Sequence, residues 1–106
     1  MYNIVYLAHP LRGKSKDIDT IATNMERTRD IANRIVQQEP ITLVLSPNHA
    51  FSFLSPFGDQ TVPLNMCKEL LKLADEVRFY GDWENSEGCV LEHNFAKEIG
   101  KKIVYG

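Results

Sequence analysis

The sequence has no apolar run approaching a membrane span, no excess of basic charge and only two cysteines. Each shortage removes a class of function. A transmembrane helix needs roughly 20 consecutive apolar residues, so no membrane partner is expected. The opening MYNIVYLAHP has too short an apolar stretch for a secretory leader and no basic segment before it. Cys67 and Cys89 have no metal-ligand spacing and no secretory context that would argue for a disulfide. The expected compartment is therefore the reducing cytoplasm. Twelve basic side chains stand against 14 acidic ones, a net charge of -2. Non-specific nucleic-acid binding rests on clustered Lys and Arg, so nucleic acid is not an expected partner. The one dense basic stretch, Arg12, Lys14 and Lys16, is too short to track a duplex but can hold a single phosphate. There is no internal repeat, low-complexity tract or linker, and 106 residues make one domain, 1–106.

What is present is an alternation of two periods. Asn3 to Ala8 is a short β-branched and aromatic run closed by His9-Pro10, the pattern of a buried strand. From Asp17, a candidate cap, Ile18, Ile21, Met25, Thr28, Ala32 and Ile35 recur at helical spacing until Pro40. Ile41 to Leu45 reads as a second strand. Leu64 to Asp75 reads as a helix with Met66, Leu70, Leu73 and the following Val77 on one side. Val77 to Tyr80 is a third strand, Val90 to Ile99 a helix stopped by Gly100, and Lys102 to Tyr105 a fourth strand. This order predicts an α/β domain with a parallel sheet of about four strands and helices on both faces. Ligands of such sheets bind beyond the carboxyl ends of the strands, where strand order reverses. The segments placed there are AHPLRG, SPNHAFSF and GDWENSEG. The stretch Ser46 to Pro63 is long for a loop. Its Phe51, Phe53 and Phe57 argue against disorder and either plug the core edge or cover a substrate.

Glu92 is the sharpest chemical signal. At about 100° per residue, with Leu91 at zero, Phe95 falls near ~40°, Ile99 near ~80° and Ala96 near ~140°. Glu92 falls near ~100°, inside that apolar arc, while Asn94, Lys97 and Lys101 lie opposite. An inward carboxylate is costly unless paired or hydrogen-bonded. Close to a helix start, the macrodipole would help it stay ionised. A desolvated carboxylate suits nucleophilic attack at a sugar C1′; the plainer reading is a boundary Glu paired with a Lys. Arg12 and Gly13, with Ser15 nearby, can hold an anion or form a solvated basic loop. No dinucleotide or ATP-hydrolysing glycine motif is present.

His9 and His49 follow strand ends and can face one crevice, whereas His93 lies on the polar arc and is expected to be exposed. Their spacing does not support a metal site, and no cofactor is expected. Asp82, Glu84 and Glu87 surround Trp83. One of them can serve as a second carboxylate for acid–base work, or all can be solvated. Trp83 can stack on a base or cap the core.

Trp83 through Gly100 read W-E-x-S-x-G-x-x-x-E-H-x-x-A-x-x-x-G. This motif resembles the signature of a small phage and bacterial family of unknown function. That family is similar to the nucleoside 2-deoxyribosyltransferases and the deoxynucleoside 5′-monophosphate N-glycosidases. The opening YLAHPLRG resembles the ligand loop after their first strand, and Met66 to Asp75 resembles the helix before their third. The resemblance implies a flavodoxin-like, Rossmann-like three-layer fold and Glu92 as the nucleophile. It also implies a role for the Arg12–Gly13 loop near sugar or phosphate and a homo-oligomer whose neighbour helps close the site. Together with the strand-end loops, the residues expected to touch the ligand are Ala8, His9, Pro10, Arg12, Gly13, His49, Trp83, Ser86 and Gly88. Two positions depart from the pattern. Cys67 stands eight residues before Asp75, where the transferases carry an aspartate, and His9 stands where they often have glycine.

Two functions follow as expectations. One is cleavage or transfer of the N-glycosidic bond of a nucleoside or its 5′-monophosphate through Glu92, with Asp82, Glu84 or His49 protonating the leaving base. The other is a non-catalytic module that holds a nucleotide-derived small molecule; Cys67 favours it.

Overall fold

The run Asn3–Ala8 forms β1, buried from Val5 onward and flanked on both sides by other strands, as its near-continuous apolar character requires. The computed structural model describes residues 1–13 and 16–106; Lys14 and Ser15, named above for a phosphate loop, lie outside the described residues. After β1 come α1 (Ile18–Gln38), β2 (Thr42–Leu45), α2 (Pro47–Ala50), α3 (Thr61–Lys72), β3 (Glu76–Phe79), α4 (Glu87–Glu98) and β4 (Lys102–Tyr105). The sheet order is β2-β1-β3-β4 and every pairing is parallel. This is the expected flavodoxin-like α/β architecture.

Register sorts the side chains. Tyr6 pairs with Val77 and Ala8 with Phe79. These four share one face and form the core with Leu71, Ala74 and Ala96 from the α3 and α4 side. Val5 and Leu7, also fully buried, point to the other face, where α1 lies with its buried Thr28 and Ile35. Asp17 caps α1 by accepting from the Thr20 amide.

Several boundaries and one position on a helix face differ from the sequence pattern. The stretch 46–63 holds the short α2, and α3 begins at Thr61; Pro63 fits its first turn, where a missing N–H does no harm. β3 starts at Glu76, whose carboxylate is buried because Arg78 and Asn3 bond it. On α3 Leu71 is fully buried and Leu64, Met66, Cys67 and Leu70 are half-buried, with Cys67 and Leu70 packed on the core. Of the expected Met66-Leu70-Leu73 side, Leu73 differs: it lies just past the end of α3 and is 65% exposed. Likewise Ile18, periodic with α1, lies beyond the sheet and is exposed.

The ends of β1 and β3 are where the order reverses: β1 leads out to β2 on one side and β3 to β4 on the other. Ligand sites of open parallel sheets form at this point.

Candidate active site

Tyr6 and Glu92 meet at the floor of a cleft of about 740 Å³ on the carboxyl side of the sheet. β1 turns Tyr6 to the α3–α4 side, and α4 turns Glu92 inward to meet it. The Tyr6 hydroxyl donates to Glu92 Oε2. Glu92 is only 7% exposed yet lines the cleft. Burial pushes its carboxyl up to about 7, against the opposing effect of the Tyr6 hydrogen bond. The Tyr6 hydroxyl is pushed up by burial and by the neighbouring carboxylate. No ion pair joins Glu92 to a cation among the described residues. The carboxylate is thus poised between its two protonation states near neutrality.

The helix start explains part of this. α4 begins at Glu87, not Val90, with Ser86 as its cap accepting from the Cys89 amide at 3.3 Å. Glu92 therefore lies in the second turn. The macrodipole acts over the first turn only, so burial sets its ionisation.

Cys67 of α3 and Cys89 of α4 flank the carboxylate, and both line the cleft. Burial and the nearby Glu92 push each thiol up to about 12. Both are neutral at physiological pH, and Cys67 brings no charge where the transferases' aspartate would. No group of three or more His, Cys, Asp or Glu among the described residues is arranged to hold a metal ion.

Arg12, Gly13 and Lys16 also line the cleft. Gly13 has φ +65°, and a Cβ there would sit 2.8 Å from the Thr20 methyl, so the turn needs glycine. Ser86 and Gly88 line the cleft from the start of α4. Of the three loop phenylalanines only Phe51 lines it; Phe53 is 74% exposed and Phe57 is also exposed.

His9 is buried and borders both this cleft and a smaller cavity of about 320 Å³ beside it. Pro10 and Asp82 line the smaller cavity alone, and Asn85 donates to Asp82 Oδ1 at 2.7 Å. Ala8 is fully enclosed in the core, so only the chain it carries reaches the cleft.

Three candidates stand elsewhere. His49 is held by Ser46 Oγ at 2.9 Å on α2, outside the cleft lining, because α2 turns Pro47 and Asn48 inward instead. Glu84 is exposed on the 3₁₀ turn Trp83–Asn85, on the His93 side. Trp83 packs at the sheet edge: its ring stacks on His93 at 4.6 Å and on Tyr105 at 5.7 Å. His93 is half-buried rather than exposed, since its Nε2 meets the Tyr105 hydroxyl at 2.7 Å and its ring covers Trp83.

Tyr6 escaped the sequence reading because it lay inside a continuous apolar run. Its hydroxyl was the available signal: a buried tyrosine needs a polar partner, and an inward Glu92 needed one too.

The family described as a domain of unknown function (DUF4406) matches residues 3–105. No curated protein sequence matches the chain. Among solved structures, a conserved protein from Enterococcus faecalis V583 superposes with a TM-score of 0.70 at 13% identity, over 99% of this chain and 63% of that one. A 2-desoxiribosyltransferase from Leishmania mexicana superposes with a TM-score of 0.59 at 14% identity, over 97% of this chain and 63% of that one. The chain thus spans less than two thirds of the length of both, and at these identities the likeness is one of fold.

Proposed function

The chain belongs to the DUF4406 family, and from its geometry we propose that it cleaves or transfers the N-glycosidic bond of a nucleoside or nucleoside 5′-monophosphate, with Glu92 as nucleophile. One observation carries this reading: a buried carboxylate, held by a tyrosine hydroxyl and without a cationic partner among the described residues, opens onto a cleft of nucleotide size. Leaving a carboxylate in that setting is unfavourable for the fold and useful for chemistry. The likeness of fold to a 2-desoxiribosyltransferase supports a nucleoside-related ligand.

The steps balance as follows. The Tyr6 hydroxyl occupies Oε2 and orients the carboxylate, leaving Oε1 to attack C1′. The new C1′–O bond forms as the C1′–N bond breaks, and the base departs with the electron pair and takes up a proton. Of Asp82, Glu84 and His49, only Asp82 lines a cavity adjoining the cleft, which supports it as the carboxyl that relays a solvent proton to the base. Water, or a second base, then attacks C1′ and releases Glu92. Two inversions at C1′ retain its configuration. Arg12 and Lys16 in the cleft lining suit a 5′-phosphate.

A second reading is a module that binds the same ligand without turnover. The neutral thiol of Cys67 beside Glu92 favours it, because the position brings no charge to the carboxylate. Release of free base decides between them. An enzyme liberates base in excess of protein, and a binder retains at most one equivalent of intact ligand.

A further inference from the structure

We propose that the crevice between the ends of β1 and β3 is a base subsite that reads an amino-bearing heterocycle through the bare Nε2 of His9. This rests on the nucleotide reading above and names the class of base. The crevice is the smaller cavity, about 320 Å³, lined by His9, Asn24, Arg27, Asp82 and Asn85. It adjoins the main cleft through His9, Gly13 and Ser86, which border both. One planar ring placed here therefore stays connected to a sugar in the cleft.

His9 is the observation that points to a ligand. It is 6% exposed, and its Nδ1 lies 2.8 Å from the Pro10 carbonyl oxygen. A carbonyl only accepts, so Nδ1 carries a proton and donates. Nε2 has no hydrogen-bond partner among the described residues, and since no fully buried side-chain nitrogen or oxygen among them is left unpaired, it opens onto the space of the crevice, where a ligand can meet it. Burial, with the nearby Arg27 charge, lowers the imidazole's pKa. The ring is thus neutral at pH 7, and Nε2 is an acceptor.

The surrounding chain holds that lone pair in place. Asn48 donates to the His9 carbonyl at 3.1 Å and Asn24 to the Leu11 carbonyl at 2.9 Å. Across the crevice Gly81 has φ +66°, and a Cβ there would stand 3.0 Å from Nε2. Any side chain at position 81 would crowd the nitrogen that the site leaves open.

The lining defines the ligand. Nε2 of His9 and the Asp82 carboxylate both accept, and that carboxylate keeps lone pairs free after receiving the Asn85 amide. Arg27 donates. Two acceptors and one donor suit a heterocycle with an exocyclic amine next to a ring acceptor. A site built to bond a donor strongly rejects the analogue that lacks it, because its own polar groups are then stranded.

The test is calorimetric binding of three matched pairs of nucleoside 5′-monophosphates. Adenosine and cytidine monophosphates are each compared with the analogue whose exocyclic amine is replaced by hydrogen, and guanosine monophosphate with inosine monophosphate. In at least one pair the amino member should bind about tenfold tighter, or ~1.4 kcal/mol. His9→Leu should bring that ratio to about two or less, and His9→Gln, which keeps an acceptor at the position, should preserve most of it. Asp82→Ala on its exposed turn, which removes the second acceptor, is the second variant, should His9→Leu not fold, and should lower the same ratio. Equal binding within all three pairs overturns the subsite while leaving the nucleotide reading intact. A ratio unmoved by His9→Leu or by Asp82→Ala does the same. Failure of the wild type to bind any of the six overturns the nucleotide reading itself.

Discussion

The Tyr6 hydroxyl donates to Oε2 of Glu92, joining the first strand to the last helix across the core at the floor of the cleft. This bond opposes the burial that raises the Glu92 carboxyl to about 7. A nucleophile must be ionised, so activity should rise with pH along a limb centred near 7. Tyr6→Phe removes the opposing bond, so the limb should move to higher pH and kcat should fall by about tenfold or more. The pH dependence of kcat/KM for both proteins checks this; an unshifted limb in the variant would separate Tyr6 from Glu92's ionisation.

Glu92 should also weaken the fold as pH rises. Its folded pKa lies above the unfolded value, so the folded state holds the extra proton between about 4.5 and 7. Stability from this group is greatest below that window and is lost as pH climbs through it. Glu92→Gln should therefore be more stable than wild type at pH 8, by on the order of 1–3 kcal/mol, with the gain vanishing near pH 4. Urea denaturation at the two pH values measures the difference.

On the opposite face Arg78 donates to both oxygens of Glu39, at 2.7 and 2.8 Å, and to Glu76 at 2.7 Å. Burial alone would raise the Glu76 carboxyl, but the bonds from Arg78 and Asn3 hold it below its ordinary value. Arg78→Ala leaves Glu76 buried without its main cation and should cost about 3 kcal/mol at neutral pH. Glu76 is a depressed carboxylate, so its contribution is present above the unfolded pKa and is lost as pH falls through the folded one. The deficit of the variant should therefore shrink toward pH 3. A deficit independent of pH would show that packing of the arginine stem, not its charge, is what is lost.

Arg12 lines the same cleft as Glu92. Arg12→Ala should raise KM for nucleoside 5′-monophosphates by about tenfold while leaving the unphosphorylated nucleosides nearly unchanged, since a charge-assisted bond contributes ~1.5–3 kcal/mol. Equal losses on both classes would remove the phosphate from its role.

The legible parts of this protein were those where one period left no choice. The β1 run, the α1 stripe and the inward placing of Glu92 on α4 all followed from spacing, and the parallel sheet followed from their alternation. On α3 the period placed Met66 and Leu70 inward, but Leu73 falls past the helix end and is exposed, and tertiary packing alone shows that Cys67 and Leu71 turn to the core as well. Trp83 illustrates a different loss. A loop tryptophan before a ligand-type helix reads equally as a stacking platform or a core cap. Which it is depends on Tyr105 and His93 arriving from β4 and α4 to cover it. Tyr6 was hidden by its own apolar neighbours, and His9 by the fact that its unpartnered nitrogen exists only once Pro10 has taken the other.

The most direct test of the account is release of free base from nucleosides and their 5′-monophosphates, ribo and deoxy, by wild type and Glu92→Ala side by side. The account predicts free base well beyond one equivalent of protein from at least one substrate, and none above background from the variant. Turnover that survives Glu92→Ala would contradict the nucleophile assignment, and no release by the wild type from any member would contradict catalysis and leave the binding module.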